Sequence, residues 1–90
     1  MDGDALDEAL RALAHPVRRT FVRVCLDTER AAGDLATLSN LSLATVSEHL
    51  KVLRKSGLLR LDRQGRFWMY RTCADVLAAV ASALEDLGGG

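Results

Sequence analysis

The chain has few aromatic residues, no long hydrophobic run and no net charge. Aromatic residues are 4% of its 90 residues, so leucine, valine and alanine have to build the hydrophobic core. No apolar run approaches the roughly 18 residues needed to cross a bilayer, and no secretory signal pattern opens the chain. These absences favour one cytoplasmic domain without a membrane partner, small enough to gain stability by dimerising.

Reactive side chains are also sparse. The sequence contains no Ser–His–Asp arrangement, no paired-carboxylate site and no phosphate-binding glycine loop, so we expect neither an enzyme nor a cofactor. The only two histidines are far apart. His15 is expected to cap the helix that begins at Pro16, and His49 to flank the core face of a later helix.

The zero net charge conceals an uneven distribution of charge along the chain. Residues 42–71 carry seven basic and two acidic side chains, a net charge of +5, whereas residues 1–14 and 72–90 each carry −3. A protein that neutralises nucleic-acid phosphates with one face needs its basic residues gathered on that face, and a basic segment between acidic ends provides this. A solvated basic face without a partner is the alternative.

The most informative segment, residues 41–59, reads LSLATVSEHLKVLRKSGLL. Ser42 can cap a helix, because its hydroxyl can accept from a backbone N–H in the first turn. Apolar residues then recur at helical spacing, and Gly57 supplies a stop by accepting a left-handed conformation. The predicted inner face comprises Leu43, Val46, Leu50 and Leu53. The outer face, small at its start and basic at its end, suits a DNA major groove.

Other helices and a hairpin surround this segment. The predicted elements are helices over residues 4–14, 16–27, 31–38, 42–56 and 74–87, with a β-hairpin over 58–72. The hairpin turn is placed at residues 62–65, with Leu59, Leu61, Phe67, Met69 and Arg71 alternating along its strands. Residues 88–90, all glycine, are expected to form a flexible tail.

This order predicts a mainly α winged helix-turn-helix occupying residues 1–90 as a single domain. The first and last helices each carry an apolar stripe with no obvious place in so small a core. We therefore expect them to pack against a second copy. A two-fold homodimer would present two recognition helices about one DNA turn apart, so its double-stranded operator should be an imperfect palindrome.

Eleven residues are predicted to contact DNA. Those in the first turns of the recognition helix are assigned to base edges: Ser42, Ala44, Thr45, Ser47 and Glu48. Those assigned to phosphates or to the hairpin tip are Lys51, Arg54, Lys55, Arg63, Gln64 and Arg66. For Glu48 an intrahelical pair with Lys51 is the alternative.

Three stretches resemble the ArsR/SmtB family of bacterial winged-helix repressors. They are LAHPVRR at residues 13–19, GDLA at 33–36 and, above all, ATVSEHLKVLRKSGL at 44–58. The hairpin pattern GRFWMYR at residues 65–71 is also similar, and the resemblance covers residues 6–87. It implies a dimeric transcriptional repressor that a signal releases from its operator.

The sequence departs from the resemblance at the usual metal sites. The family's thiolate-rich motif falls on residues 31–35, which read AAGDL without cysteine, and the last helix offers Asp75, Glu85 and Asp86 but no histidine. Because zinc and softer metals need several thiolate or imidazole ligands, we expect no metal at a standard site.

Two cysteines remain as candidate sensors. A subset of the family senses oxidants or reactive sulfur species through a cysteine pair that joins the second and last helices. Cys25 is similar in position to the first cysteine of that pair, whereas Cys73 lies earlier than the usual partner on the last helix. A buried, inert Cys25 is the alternative. Cysteine oxidation, a small molecule in the dimer groove, an unusual metal site and no effector at all stay open.

A second class of function is a winged-helix protein-interaction or dimerisation module that does not bind DNA. The basic hairpin and the small residues that open the recognition helix favour DNA binding over this alternative.

Overall fold

A computed structural model describes residues 1–89, which form five helices and one two-stranded antiparallel sheet. The elements are α1 (Gly3–Leu13), α2 (Pro16–Asp27), α3 (Ala32–Ser39), α4 (Leu43–Lys55), β1 (Leu59–Gln64), β2 (Phe67–Thr72) and α5 (Ala74–Gly89). This order is that of a winged helix-turn-helix, with α3 and α4 as the helix pair and β1–β2 as the wing.

Local signals set both ends of α4. The Ser42 hydroxyl accepts from the backbone N–H of Thr45 at 3.2 Å, which confirms the predicted cap. At the other end Gly57 has a φ of 82°, the left-handed conformation that glycine adopts without a Cβ penalty. The tight turn from α3 into α4 uses Asn40 at φ 57°, which asparagine tolerates better than most residues.

The core lies where α2, α3 and α4 meet the base of the wing, and Ala9 and Ala12 of α1 and Val80 of α5 complete it. Its largest fully buried side chains are Phe21, Leu35, Leu50, Leu53, Leu58, Val46 and Cys25. Leu43, predicted to belong to the inner face of α4, is 55% exposed, and Leu38, near the end of α3, is also exposed. Both lie at the end of their helix that borders the turn between α3 and α4, beyond the reach of the core.

The wing differs from prediction in the face that it turns inward. Its turn is the two-residue Gly65–Arg66, so Leu59 pairs with Thr72 and Leu61 with Tyr70. Phe67, placed by the sequence pattern in one alternating set with the apolar positions of β1, is 67% exposed. Because side chains alternate along a strand, this register places Tyr70 and Thr72, rather than Phe67, Met69 and Arg71, on the face that Leu59 and Leu61 share.

The loop before α3 fixes the outer edge of β2. Arg30 and Tyr70 exchange two backbone hydrogen bonds, with N–O distances of 2.7 and 3.1 Å. At the base of the wing the buried Thr72 hydroxyl donates to the carbonyl of Val22 at 2.6 Å. The hairpin is therefore held on one side by α2 and the loop that follows it.

The last helix continues beyond the predicted end at residue 87. Gly88 and Gly89 belong to α5 rather than to a flexible tail, and residue 90 lies outside the described residues. Glycine is tolerated in a last helical turn, at a cost of about 1 kcal/mol relative to alanine. Val80 is buried, whereas Leu84 and Leu87 are exposed, so the second half of the apolar stripe on α5 has no cover within the chain.

No helix among residues 1–89 combines the length and the apolar composition that crossing a membrane requires.

Candidate DNA-binding face

The outer face of α4 is open to solvent over its whole length. All five residues predicted to meet base edges are exposed: Ser42, Ala44, Thr45, Ser47 and Glu48. The hydroxyls of Ser42 and Thr45 bond to one another at 3.0 Å, which leaves Ser47 and Glu48 as the polar groups of this set without a side-chain partner among residues 1–89. In the same range Glu48 makes no ion pair with Lys51, so its carboxylate can accept from a base.

Salt bridges within residues 1–89 divide the basic side chains of the segment into two groups. Arg60 pairs with Asp62 at 2.8 Å, and Arg71 pairs with Glu29 at 3.0 Å. The exposed cations that make no salt bridge in this range, here called the unpaired cations, are Lys51, Arg54, Lys55, Arg63 and Arg66. They coincide with the residues that the sequence assigns to phosphates.

The helix and the wing meet in a shared basic groove. Lys51, Arg54 and Lys55 from α4 line it together with Leu59 and Arg60 from β1. A phosphate backbone passing along this groove would face cations on one side and the hairpin on the other.

Glu29, between α2 and α3, was missed by the sequence analysis. Its carboxylate accepts from the side-chain amide of Gln64 and from Arg71, so it ties the wing to the loop before α3. Gln64, predicted to meet DNA, is thereby engaged within the protein. No sequence pattern marks Glu29, because its partners lie 35 and 42 residues further along the chain.

The hairpin tip carries a second contact that sequence reasoning missed. The guanidinium carbon of Arg63 lies 5.6 Å from the ring centroid of Trp68, its cross-strand neighbour, and Arg63 Nε donates to the Gly65 carbonyl at 3.1 Å. Arg63 is therefore folded against the wing, whereas Arg66 in the turn has no such contact among residues 1–89.

The acidic first helix borders the C-terminal end of α4. Asp4, Asp7 and Glu8 line a cleft together with Val52 and Lys55. Lys55 thus lies between this acidic cleft and the basic groove, and the negative charge of α1 would disfavour a phosphate on the α1 side of Lys55 relative to the side that faces the wing.

The structure brings the two histidines together. Their ring centroids are 4.8 Å apart, and His49 also meets the edge of Phe21. His15 is the residue before α2, as predicted, but its side chain makes no capping hydrogen bond. Burial lowers the pKa of His49, and the nearby His15 and Arg18 lower it further. A neutral His49 imidazole thus suits the junction between α2 and the recognition helix.

The two cysteines differ in environment. Cys25 is fully buried in α2, and burial raises the pKa of its thiol to about 11, partly offset by Arg30. Cys73, just before α5, is half-buried, and its backbone N–H donates to the Leu58 carbonyl at 2.9 Å. Both are free thiols. Within residues 1–89, no three side chains of His, Cys, Asp or Glu cluster as a metal site would need.

Comparison with known proteins identifies the class of protein to which this chain belongs. A family model described as a helix-turn-helix domain matches residues 13–62. The transcriptional repressor SmtB of Mycobacterium tuberculosis is 39% identical over 88 residues, which cover 92% of this chain and 65% of the repressor. The chain thus spans about two thirds of that relative's length.

Solved structures agree with this assignment. An ArsR-like transcriptional regulator from Rhodococcus superposes with a TM-score of 0.86 at 27% identity, over 94% of this chain and 80% of that one. A homodimeric winged helix-turn-helix DNA-binding domain from Mycobacterium bovis gives 0.77 at 28% identity, with the same coverage. The chain belongs to the ArsR/SmtB family of winged helix-turn-helix transcription regulators.

The histidine contact predicts a loss of stability in mild acid. In the unfolded chain His49 takes up a proton near its ordinary pKa of 6.5, whereas the folded protein resists protonation. The contribution of His49 is therefore complete above pH 6.5 and is lost as the pH falls below that value. We expect the free energy of unfolding, measured in urea, to fall more steeply in wild type than in His49→Gln between about pH 7.5 and pH 5.5. Equal pH dependence in the two proteins would contradict this prediction.

The cysteine environments predict unequal reactivity. With a pKa of about 11, only roughly one Cys25 thiol in three thousand is ionised at about pH 7.5. Native Cys73→Ser, which retains Cys25 alone, should resist a thiol-specific disulfide reagent until urea unfolds it. Native Cys25→Ser, the matched control, should react through Cys73. A native Cys25 that reacts as fast as the unfolded chain would support an oxidant-sensing role instead.

Proposed function

We propose that the chain is a homodimeric, sequence-specific DNA-binding regulator that represses transcription and leaves its operator in response to a signal. The observation that carries the proposal is the set of five unpaired cations on the second half of α4 and on the wing, on the same exposed side of the domain as the outer face of α4. All other basic residues between Ser42 and Arg71 are neutralised by carboxylates of the protein.

The candidate face would make two kinds of contact with DNA, one to base edges and one to phosphates. In helix-turn-helix proteins the first turns of the recognition helix meet base edges, and here these turns carry Ser47, Glu48 and the methyl group of Ala44. Glu48 can accept from the amino group of cytosine, and Ala44 can contact a thymine methyl. The unpaired cations supply affinity that does not depend on sequence.

The proposed dimer rests on the apolar surface left open by the terminal helices. Leu87 is 79% exposed and Leu84 44%, both on the stripe of α5 that continues from the buried Val80. Leu6 and Leu10 on α1 are only partly covered by the core. A second copy packed on this surface would bury these leucines and make the operator an imperfect palindrome.

Titration of DNA under varied salt tests the proposal. The probe is a duplex selected from a randomised pool by the wild-type protein, compared with an unselected duplex of equal length. Wild type should prefer the selected duplex and bind it as two chains per duplex. Lys51→Ala and Arg63→Ala should each weaken binding to both duplexes and reduce the salt slope by about 1, because each removes one phosphate contact.

Arg23→Ala is the matched control, since Arg23 is an exposed arginine of α2 outside the basic segment. Its salt slope should equal that of wild type. The proposal would be contradicted if wild type bound neither duplex, or if Arg23→Ala reduced the salt slope as much as Lys51→Ala and Arg63→Ala do. Either result would favour a protein-interaction module.

A further inference from the structure

The tip of the wing holds one of its two arginines in place before any ligand is present. Trp68, the only tryptophan of the chain, lies opposite Arg63 across the hairpin, and the two are in cation–π contact at 5.6 Å. The ring is nevertheless 54% exposed, so hydrophobic burial accounts for only part of its placement. Trp68, which makes this contact with Arg63, is therefore not part of the hydrophobic core.

A second contact restrains Arg63 at a different point. Its Nε donates to the carbonyl of Gly65 at 3.1 Å, while its guanidinium carbon lies over the Trp68 ring. Among residues 1–89 no acceptor bonds its two terminal Nη groups and no carboxylate neutralises it. The guanidinium is thus held through its Nε, and its two Nη groups, which can bind phosphate oxygens, stay unoccupied.

Arg66 provides the internal comparison. It lies three residues away at the turn of the same hairpin, carries the same charge and is also exposed, but it has neither contact among residues 1–89. An arginine loses rotamer freedom when it binds, and a side chain restrained beforehand loses less. Arg63 should therefore contribute more than Arg66 to DNA affinity, although the two side chains carry the same charge.

We propose that Trp68 is a positioning residue for DNA binding, which holds the guanidinium of Arg63 ready to meet a backbone phosphate beside the wing. This inference rests on the proposed DNA-binding function. It assigns Trp68 no contact of its own with DNA, and it makes Arg63 rather than Arg66 the main anchor of the wing.

Two other roles of Trp68 make different predictions. If the ring stacked directly on DNA, its removal would weaken binding whether or not Arg63 were present. If it only stabilised the hairpin as a cross-strand partner, its removal would lower the free energy of unfolding, and its effect on DNA binding would not depend on which arginine is present.

A double-mutant cycle separates these roles, with the duplex selected by wild type as the probe. Trp68→Ala should weaken binding roughly two- to five-fold, the size of an exposed cation–π contact. The same substitution should add no loss in an Arg63→Ala background and its full loss in an Arg66→Ala background. Trp68→Phe, which keeps an aromatic face, should restore part of the affinity.

Salt dependence and the free protein supply readouts that a merely structural role would not change. Trp68→Ala should leave the salt slope at the wild-type value, because the charge of Arg63 remains, whereas Arg63→Ala should lower it by about 1. Without DNA, the NMR signal of the Arg63 Nε–H should lose its ring-current shift in Trp68→Ala.

A loss from Trp68→Ala that persists in the Arg63→Ala background would overturn the inference, as would equal coupling of Trp68 to Arg63 and Arg66. Either result leaves DNA binding by wild type intact, so it is distinct from failure of the proposed function. Wild type that binds no duplex would overturn both.

Discussion

The candidate DNA-binding face of α4 depends on the burial of the opposite, apolar face of the same helix in the hydrophobic core. Val46, Leu50 and Leu53 are at most 1% exposed, and each contributes about 1.5–3 kcal/mol by leaving water. With that side fixed in the core, the opposite side of the helix has to face solvent along its whole length. The cap at Ser42 and the left-handed Gly57 then set where this exposed face begins and ends.

The wing depends on a different set of contacts, which are polar and long-range. Backbone pairing of Arg30 with Tyr70, together with the carboxylate of Glu29, joins the hairpin to the loop before α3. Because that loop leads directly into the helix-turn-helix, the hairpin and α4 are oriented by the same part of the chain. A change at Glu29 would therefore alter the position of the wing and release the side-chain amide of Gln64.

The sequence predicted α4 well because its signals are local: a capping serine, a repeat of apolar residues and a terminal glycine all lie within one segment. The order of elements followed from such signals along the chain. The inner face of β2 was predicted wrongly because it depends on the pairing register of the hairpin, and a register shift of one residue exchanges the two faces of a strand. The roles of Glu29, of Trp68 beneath Arg63 and of the two histidines could not be predicted, since each needs a partner in another element that no periodicity reveals.

Amide chemical-shift mapping tests most directly whether α4 and the hairpin tip bind DNA as one face. The uniformly labelled wild-type protein is titrated with the duplex that it selects. Shifts should concentrate at residues 42–55 and 63–66 and leave the far end of α2, around Arg23, unchanged. Shifts confined to α1 and α5, or no shifts with any duplex, would contradict the assignment of this face to DNA.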